Sequence, residues 1–227
     1  MTNLTLLIPA YKEVESLPVF LKELENFDYI KMIVLQKEDT ETLEAIKNFK
    51  NIKIHVQEKK GYGSALKEGI NNINTEFFCI INADGSMNPK YLNEMLYICK
   101  NTNFVFASRY LNGGGSDDDD IVTFVGNKIF SLMGNILFSL NLSDILYTYV
   151  MGKTSAAKDL NLNYSDFRIC VELPILAKLK GFDFTSSPSQ ERKRIGGVKK
   201  VNALKDGFLI LTAIMELFLK KILKKKY

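Results

Sequence analysis

Along the first half of the chain, short apolar runs alternate with stretches in which apolar side chains recur every three or four residues. The runs at residues 4–8, 32–35, 52–56, 77–81 and 104–107 are four or five residues long, the length of a strand rather than a helix. Between them, helical spacing is predicted after Ser16, over 42–49, over 63–73 where glycines open the segment, and after Pro89. Strand and helix in strict alternation predict an α/β fold with a mainly parallel sheet covered on both faces. In such a sheet ligands bind beyond the carboxyl ends of the strands, so chemistry is expected in the loops that follow them.

The second half is patterned differently. Residues 112–120 read Asn-Gly-Gly-Gly-Ser-Asp-Asp-Asp-Asp, where glycines and repelling like charges predict a mobile lid or disordered connector. An apolar helical segment over 122–140 follows, then a helix over 167–179, a polar loop over 186–200 and a last helix from Ala203 onward. That last helix is interrupted by Glu216 and by lysines, and lacks the roughly 20 consecutive apolar residues of a bilayer span. With Lys220, Lys221, Lys224, Lys225 and Lys226 at its end it reads as an amphipathic, lysine-rich membrane-surface anchor over 203–227, appended to a catalytic domain over 1–202. A core or dimer helix is the plainer reading, and a homodimer is compatible with it.

Composition narrows the classes. With 227 residues, 46% hydrophobic and 25% charged, the chain is long and apolar enough for one sizeable core. Its three cysteines, Cys79, Cys99 and Cys170, show no metal-ligand spacing and sit in apolar surroundings, so buried thiols in a reducing compartment are expected. A lone histidine, His55, makes a histidine-based triad or metal cluster improbable. The basic residues are not interleaved with aromatics, which argues against a nucleic-acid partner. The N-terminus enters a strand pattern with no basic, cleavable leader, so a cytoplasmic location at the inner face of the membrane is expected.

Candidate chemistry lies where the rhythm places it. Asn82-Ala83-Asp84-Gly85-Ser86 directly follows a buried run, which would project Asp84 into the cleft at a strand's end. Hard divalent cations such as Mg²⁺ or Mn²⁺ take one or two carboxylates plus substrate phosphate oxygens, so Asp84 can hold a metal against a diphosphate. A helix-capping loop aspartate is the bland alternative. Pro9, Tyr11 and Glu13 follow the first run and bring a second acid to the same sheet edge. Gly61 and Gly63 join a strand to a helix with small residues that let backbone amides approach phosphate.

In order and spacing these segments resemble the family-2 glycosyltransferases. Pro9-Ala10-Tyr11-Lys12-Glu13, Gly61-Tyr62-Gly63-Ser64-Ala65, Ala83-Asp84-Gly85-Ser86 and Ser108-Arg109-Tyr110 match four family motifs in sequence. Asp144 with Tyr147 and Tyr149, Glu172, the stretch from Pro188 to Gly197, and Asp206-Gly207 resemble the branch of dolichol-phosphate mannosyltransferase and bacterial polyprenyl-phosphate glycosyltransferases. The resemblance implies a GT-A fold, a UDP- or GDP-sugar donor, Mg²⁺ or Mn²⁺, and a polyprenyl-phosphate or glycan acceptor. It also implies a donor site drawing on Pro9, Tyr11, Glu13, Gln36, Gly61, Gly63, Asn82, Asp84, Arg109 and Lys200, with metal on Asp84 and Asn82. Arg194 would reach a diphosphate or acceptor phosphate, a task suited to its planar fork. Direct displacement with inversion is the expected mechanism, with Glu172 as base if the acceptor is a hydroxyl.

The chain departs from the family in its donor site. Val34-Leu35-Gln36-Lys37-Glu38-Asp39 stands where an acid pair usually follows the second strand, Asn82 replaces the first acid of the metal motif, and Lys199-Lys200 stands where serine with lysine or asparagine is usual. A catalytically impaired nucleotide-sugar-binding partner of an active transferase is therefore the alternative reading. A nucleotidyltransferase is a weaker third.

Overall fold

The computed structural model describes residues 3–196 and 202–223. Strands β1 (Leu4–Ala10), β2 (Ile30–Gln36), β3 (Ile52–Gln57) and β4 (Phe77–Ile80) alternate with helices α1 (Ser16–Leu24), α2 (Thr40–Ile46) and α3 (Tyr62–Asn72). Then come α4 (Leu92–Cys99), β5 (Phe104–Ser108), the short β6 (Gly115–Ser116), α5 (Ile121–Phe138), β7 (Val150–Lys153), α6 (Thr154–Asp159), α7 (Ile169–Leu179), β8 (Phe184–Pro188), β9 (Gln190–Glu191) and α8 (Ala203–Ile222). The seven-stranded sheet has the order β3-β2-β1-β4-β7-β5-β8. All its pairs are parallel except those of β7, which runs antiparallel between β4 and β5.

Each apolar run serves both faces because successive strand side chains point to opposite sides. Met32 and Val34 of β2, with Phe104 and Phe106 of β5, enter a core shared with α3, α7 and α8. Ile33 and Leu35, with Val105 and Ala107, enter a second core against α1 and α4. Burial on both sides is why these strands read as continuous rather than alternating apolar runs. Helix α8, expected as an appendage, sends Ile210, Ala213, Ile214 and Leu217 into the first core. All three cysteines are free and buried, and burial pushes the Cys99 and Cys170 thiols up to about 12.

Two expectations need correction. Residues 112–120 are not a loose lid: β6 pairs with β9, Asp118 binds Arg194, Asp119 binds Arg109 and Tyr110, and Asp120 caps α5 through the Thr123 amide. Cations and a helix terminus offset three of the four acids whose mutual repulsion suggested disorder, and Asp117 accepts from the Gln190 side chain. The helical segment expected to run to 140 stops at Phe138, where Ser139 turns left-handed (φ 57°) and its amide bonds the Asn135 carbonyl.

Candidate active site

A cleft of about 800 Å³ opens beyond the carboxyl ends of β1, β2 and β4 and is closed on its far side by α5 and α8. Pro9, Tyr11 and Glu13 line it after β1, Gln36 after β2, and Asn82 and Asp84 after β4. Gly61, Arg109 and Arg194 line it as well, so most of the expected donor-site residues meet in one place.

Asp84 is held in a defined orientation. Its Oδ1 accepts from the Ser86 amide at 3.0 Å and from the Ser86 hydroxyl at 2.8 Å, leaving Oδ2 toward the cleft, 3.8 Å from an Arg194 guanidinium nitrogen. Gly85 makes the turn with φ 73°, and a Cβ there would meet Ile195 Cδ1 at 2.4 Å. The chain from Glu191 to Ile195 lies across this turn: the Arg192 amide bonds the Ser86 carbonyl and the Ile195 amide the Asp84 carbonyl, each at 2.8 Å. Arg192 anchors the crossing through the Gly85 carbonyl at 2.7 Å and the Glu23 carboxylate. Arg194 is thereby carried over Asp84, with its other nitrogen 2.7 Å from Asp118.

Asn82 is fixed from behind. Its Oδ1 accepts from the Tyr62 hydroxyl at 3.1 Å, which also bonds Thr148 at 2.7 Å. Burial holds the Tyr62 phenol well above its ordinary value, so it remains a neutral partner.

Arg109 is not a free ligand group. Buried at 7% exposure, it binds Asp144 through Nε at 2.7 Å and Nη2 at 2.9 Å, and reaches Asp119 and Glu191 through Nη1, both at 3.0 Å. Burial alone would lower its affinity for the proton, but Asp144 and Glu191 overcompensate and hold the guanidinium charged. Burial raises the Glu191 carboxyl above its ordinary range, against the pull of Arg109. This knot ties the ends of β5 and β9 to the 142–149 segment. Sequence reasoning assigned Asp119 and Glu191 no role in the site, although an acidic run one loop away from a post-strand arginine was the available signal.

Other expectations fall elsewhere. Glu172 is fully buried, outside the cleft wall, and accepts the backbone amides of Asn163 and Tyr164 at 2.8 and 3.0 Å. A carboxylate spent on two loop amides is placed to shape the 160–168 connection, not to take a proton from an acceptor. Gly61 and Gly63 are required by packing: a Cβ on Gly61 would lie 2.2 Å from the Ser165 carbonyl oxygen, and one on Gly63 2.5 Å from that of Tyr164. Asp39, the acid displaced from the usual second-strand motif, binds the Lys12 amide at 2.7 Å and caps α2. Gln36 is the side chain of that stretch that reaches the cleft. Lys199, Lys200 and Lys224 to Lys226 lie outside the described residues.

The polar end of the cleft is acidic. Among the described lining residues, Glu13, Asp84, Asp118, Asp119 and Glu191 face only two guanidiniums, both already paired. A diphosphate entering alone would meet net negative charge. No group of three or more His, Cys, Asp or Glu among the described residues is arranged to hold a metal ion by itself. One outward carboxylate oxygen and an amide oxygen nevertheless fit a Mg²⁺- or Mn²⁺-type ion that completes its shell with phosphate and water. Arg194 beside Asp84 Oδ2 shows that this position attracts positive charge.

Residues 5–160 match the model of glycosyl transferase family 2. The chain belongs to that family. The family 2 glycosyltransferase fold accounts for the sheet order and for the cleft's position at the strand ends. A relative from Methanococcus voltae, named dolichyl N-acetyl-alpha-D-glucosaminyl phosphate 3-beta-D-2,3-diacetamido-2,3-dideoxy-beta-D-glucuronosyltransferase, is 35% identical over 94 residues, covering 37% of this chain and 29% of that protein. This family 2 glycosyltransferase thus matches less than a third of that relative's length. Among solved structures, glucosyl-3-phosphoglycerate synthase from Mycobacterium tuberculosis with Mn²⁺, UDP and phosphoglyceric acid superposes with a TM-score of 0.69 at 11% identity, over 95% of this chain and 78% of that one. The same enzyme with UDP gives 0.68 at 12% identity, over 95% and 79%. At such identity the likeness is one of fold, the GT-A type.

Proposed function

We propose that this glycosyltransferase moves a sugar from a UDP- or GDP-sugar to a polyprenyl phosphate, with inversion, while peripherally bound at the cytoplasmic face of the membrane. The observation that carries this reading is the two-part character of this cleft. Its strand-end half presents Asp84, Asn82, Glu13 and Arg194, whereas its other half is walled by apolar side chains of α5 and α8, including Phe130, Met133, Phe208 and Leu211. A sugar nucleotide fits the first half and an isoprenoid chain the second, with the transferring carbon where they meet. The name of the Methanococcus relative, a transferase onto a dolichyl-linked phosphate sugar, supports a lipid-linked acceptor.

Asp84, its rotamer locked by Ser86, would hold Mg²⁺ or Mn²⁺ together with Asn82 and the donor diphosphate. Bound there, the ion supplies neutralisation of the leaving phosphate's charge. Arg194, hung over Asp84 by the 191–195 crossing, adds a guanidinium to the same oxygens. An acceptor phosphate is already anionic and attacks without a general base, in keeping with Glu172 lying outside the cleft and with Glu191 and Asp119 being committed to Arg109. Holding both reactants in one cleft in near-attack geometry supplies much of the remaining rate.

The test is a panel of UDP-, GDP- and dTDP-sugars with Mn²⁺ and a polyprenyl phosphate, assayed with wild type and Asp84→Ala. Lipid-linked product that disappears in the variant supports the transferase. Nucleotide binding without turnover in every combination supports the second reading, a catalytically impaired partner, which the neutral Asn82 and Gln36 and the structural use of Asp39 favour.

A further inference from the structure

Helix α5 is inside out for the surface of a water-soluble domain. The side chains it buries are Asn127, Ser131, Gly134 and Phe138, while Ile121, Val125, Ile129, Leu132 and Ile136 form an exposed stripe spaced four, four, three and four residues apart. Ile121 and Ile136 keep 82% and 70% of their surface in contact with solvent. With Lys128 as its single charged residue, α5 is by length and composition apolar enough to cross a membrane, and most of it is not buried in the domain. Beside it, α8 carries two apolar stripes. Ile210, Ala213, Ile214 and Leu217 face the core, and Leu204, Phe208, Leu211, Met215 and Leu219 face outward with the same helical spacing.

We infer that α5 and α8 together form one face that lies flat on an anionic lipid bilayer, with α5 as the principal inserting element. Contiguous apolar stripes on two neighbouring helices make a patch of the kind that marks an interaction surface. Lipid is the occupant because of charge. The segment from Ala203 to Tyr227 holds six lysines against two acids, and both acids are engaged, Asp206 with the Asn202 amide and Glu216 with Tyr164 and Lys220. Of the four acids before α5, Asp118 is paired with Arg194 and Asp119 with Arg109, while Asp120 accepts the Thr123 amide and Asp117 the Gln190 side-chain amide. An apolar face on a segment whose sequence carries this excess of lysine matches the interface of a bilayer with anionic headgroups.

Lying flat, rather than spanning, follows from how α5 is tied. Asp120 caps its start, the Asn135 side chain bonds both the amide and carbonyl of Leu142, Ser131 accepts the Ile145 amide, and Lys221 of α8 donates to the Leu137 carbonyl at 2.8 Å. These bonds hold the helix along the body of the domain. Val122, Ile129, Leu204, Phe208 and Leu211 both belong to this face and line the cleft, so the apolar half of the cleft opens onto the bilayer. On the reading of the acceptor as a polyprenyl phosphate, its chain enters from the membrane between α5 and α8 without crossing water.

The experiment is flotation of the full chain with vesicles of phosphatidylcholine alone or with phosphatidylglycerol added, comparing wild type with the triple variant Val125→Glu, Leu132→Glu, Ile136→Glu, none of which lines the cleft. Tyr97→Glu, an exposed apolar position on α4, is the control. Wild type and control should float with the anionic vesicles, and the triple variant should lose about tenfold or more of its bound fraction while keeping its far-UV dichroism and melting temperature. Flotation of the triple variant equal to wild type, or no flotation of wild type on either vesicle, overturns the inference. So does a wild-type dimer that the triple substitution converts to monomer without any vesicle binding, since the face would then join two copies. Equal binding to neutral and anionic vesicles overturns the charge argument. Sugar transfer to a short-chain, water-soluble prenyl phosphate in vesicle-free buffer separates the two proposals: if it persists in the triple variant the transferase reading stands regardless of flotation, and if it is absent in wild type that reading fails while flotation still decides the face.

Discussion

Asp84 divides its two oxygens between tasks: one is fastened by Ser86 and the other faces the cleft. Asp84→Asn keeps the shape and removes the charge, and transfer should fall about 10²- to 10³-fold in kcat/KM with the melting temperature unchanged, measured with radiolabelled donor. Glycines separate in the same way by what surrounds them. Gly61→Ala sets a methyl against the Ser165 carbonyl at a φ of 110°, and should cost about 1–3 kcal/mol in urea denaturation. Gly126→Ala meets nothing within 4 Å inside α5 and should stabilise by up to about 1 kcal/mol. Glu172 supplies a pH signature, because burial raises its carboxyl above the ordinary 4.5 despite two amide donors. The unfolded chain then loses its proton first, so the contribution of Glu172 to stability declines as pH rises from about 4.5 through the folded value. The stability of wild type minus that of Glu172→Gln, followed by denaturation at stepped pH, should fall over that interval. The place of Asp84 at the cleft was legible because it follows a buried run; that of Glu172, expected as a base and found outside the cleft, was not, since a motif position gives no information on whether a carboxylate faces a cleft or a pair of loop amides.

Elements that bury one side against the sheet announced themselves by their spacing, and β1 to β5 with α1 to α4 stand close to where the pattern put them. Elements defined by partners far along the chain did not. β6 and β9 are two residues each and exist because Ser116 and Glu191 are brought together by the knot around Arg109. That knot predicts a large cost for breaking it: Asp144→Ala leaves a buried guanidinium short of its bidentate partner and should destabilise the fold by about 3–5 kcal/mol in chemical denaturation. The acidic run at 117–120 read as a repelling, mobile stretch because its three cationic or helical partners, Arg109, Arg194 and the start of α5, cannot be seen from local composition.

For the whole molecule, the excess of carboxylates among the described residues at the strand-end half of the cleft predicts an order of events, in which the proposed cation would enter before or with the nucleotide. UDP or GDP titrated calorimetrically without a divalent ion should bind at least about tenfold more weakly than with Mn²⁺, and chelation should abolish transfer until metal is returned. The sheet itself has a consequence for how the chain is made. β5, ending at Ser108, pairs among the described residues with β7 and β8, and β4 has one side vacant until β7 at Val150–Lys153 slides between them. A nascent chain that has emerged only as far as α4 therefore carries an unfinished sheet with an open edge, and two thirds of the protein must leave the ribosome before that edge is sealed. Such a gap favours late, all-at-once closure of the domain and an exposed, sticky intermediate during synthesis.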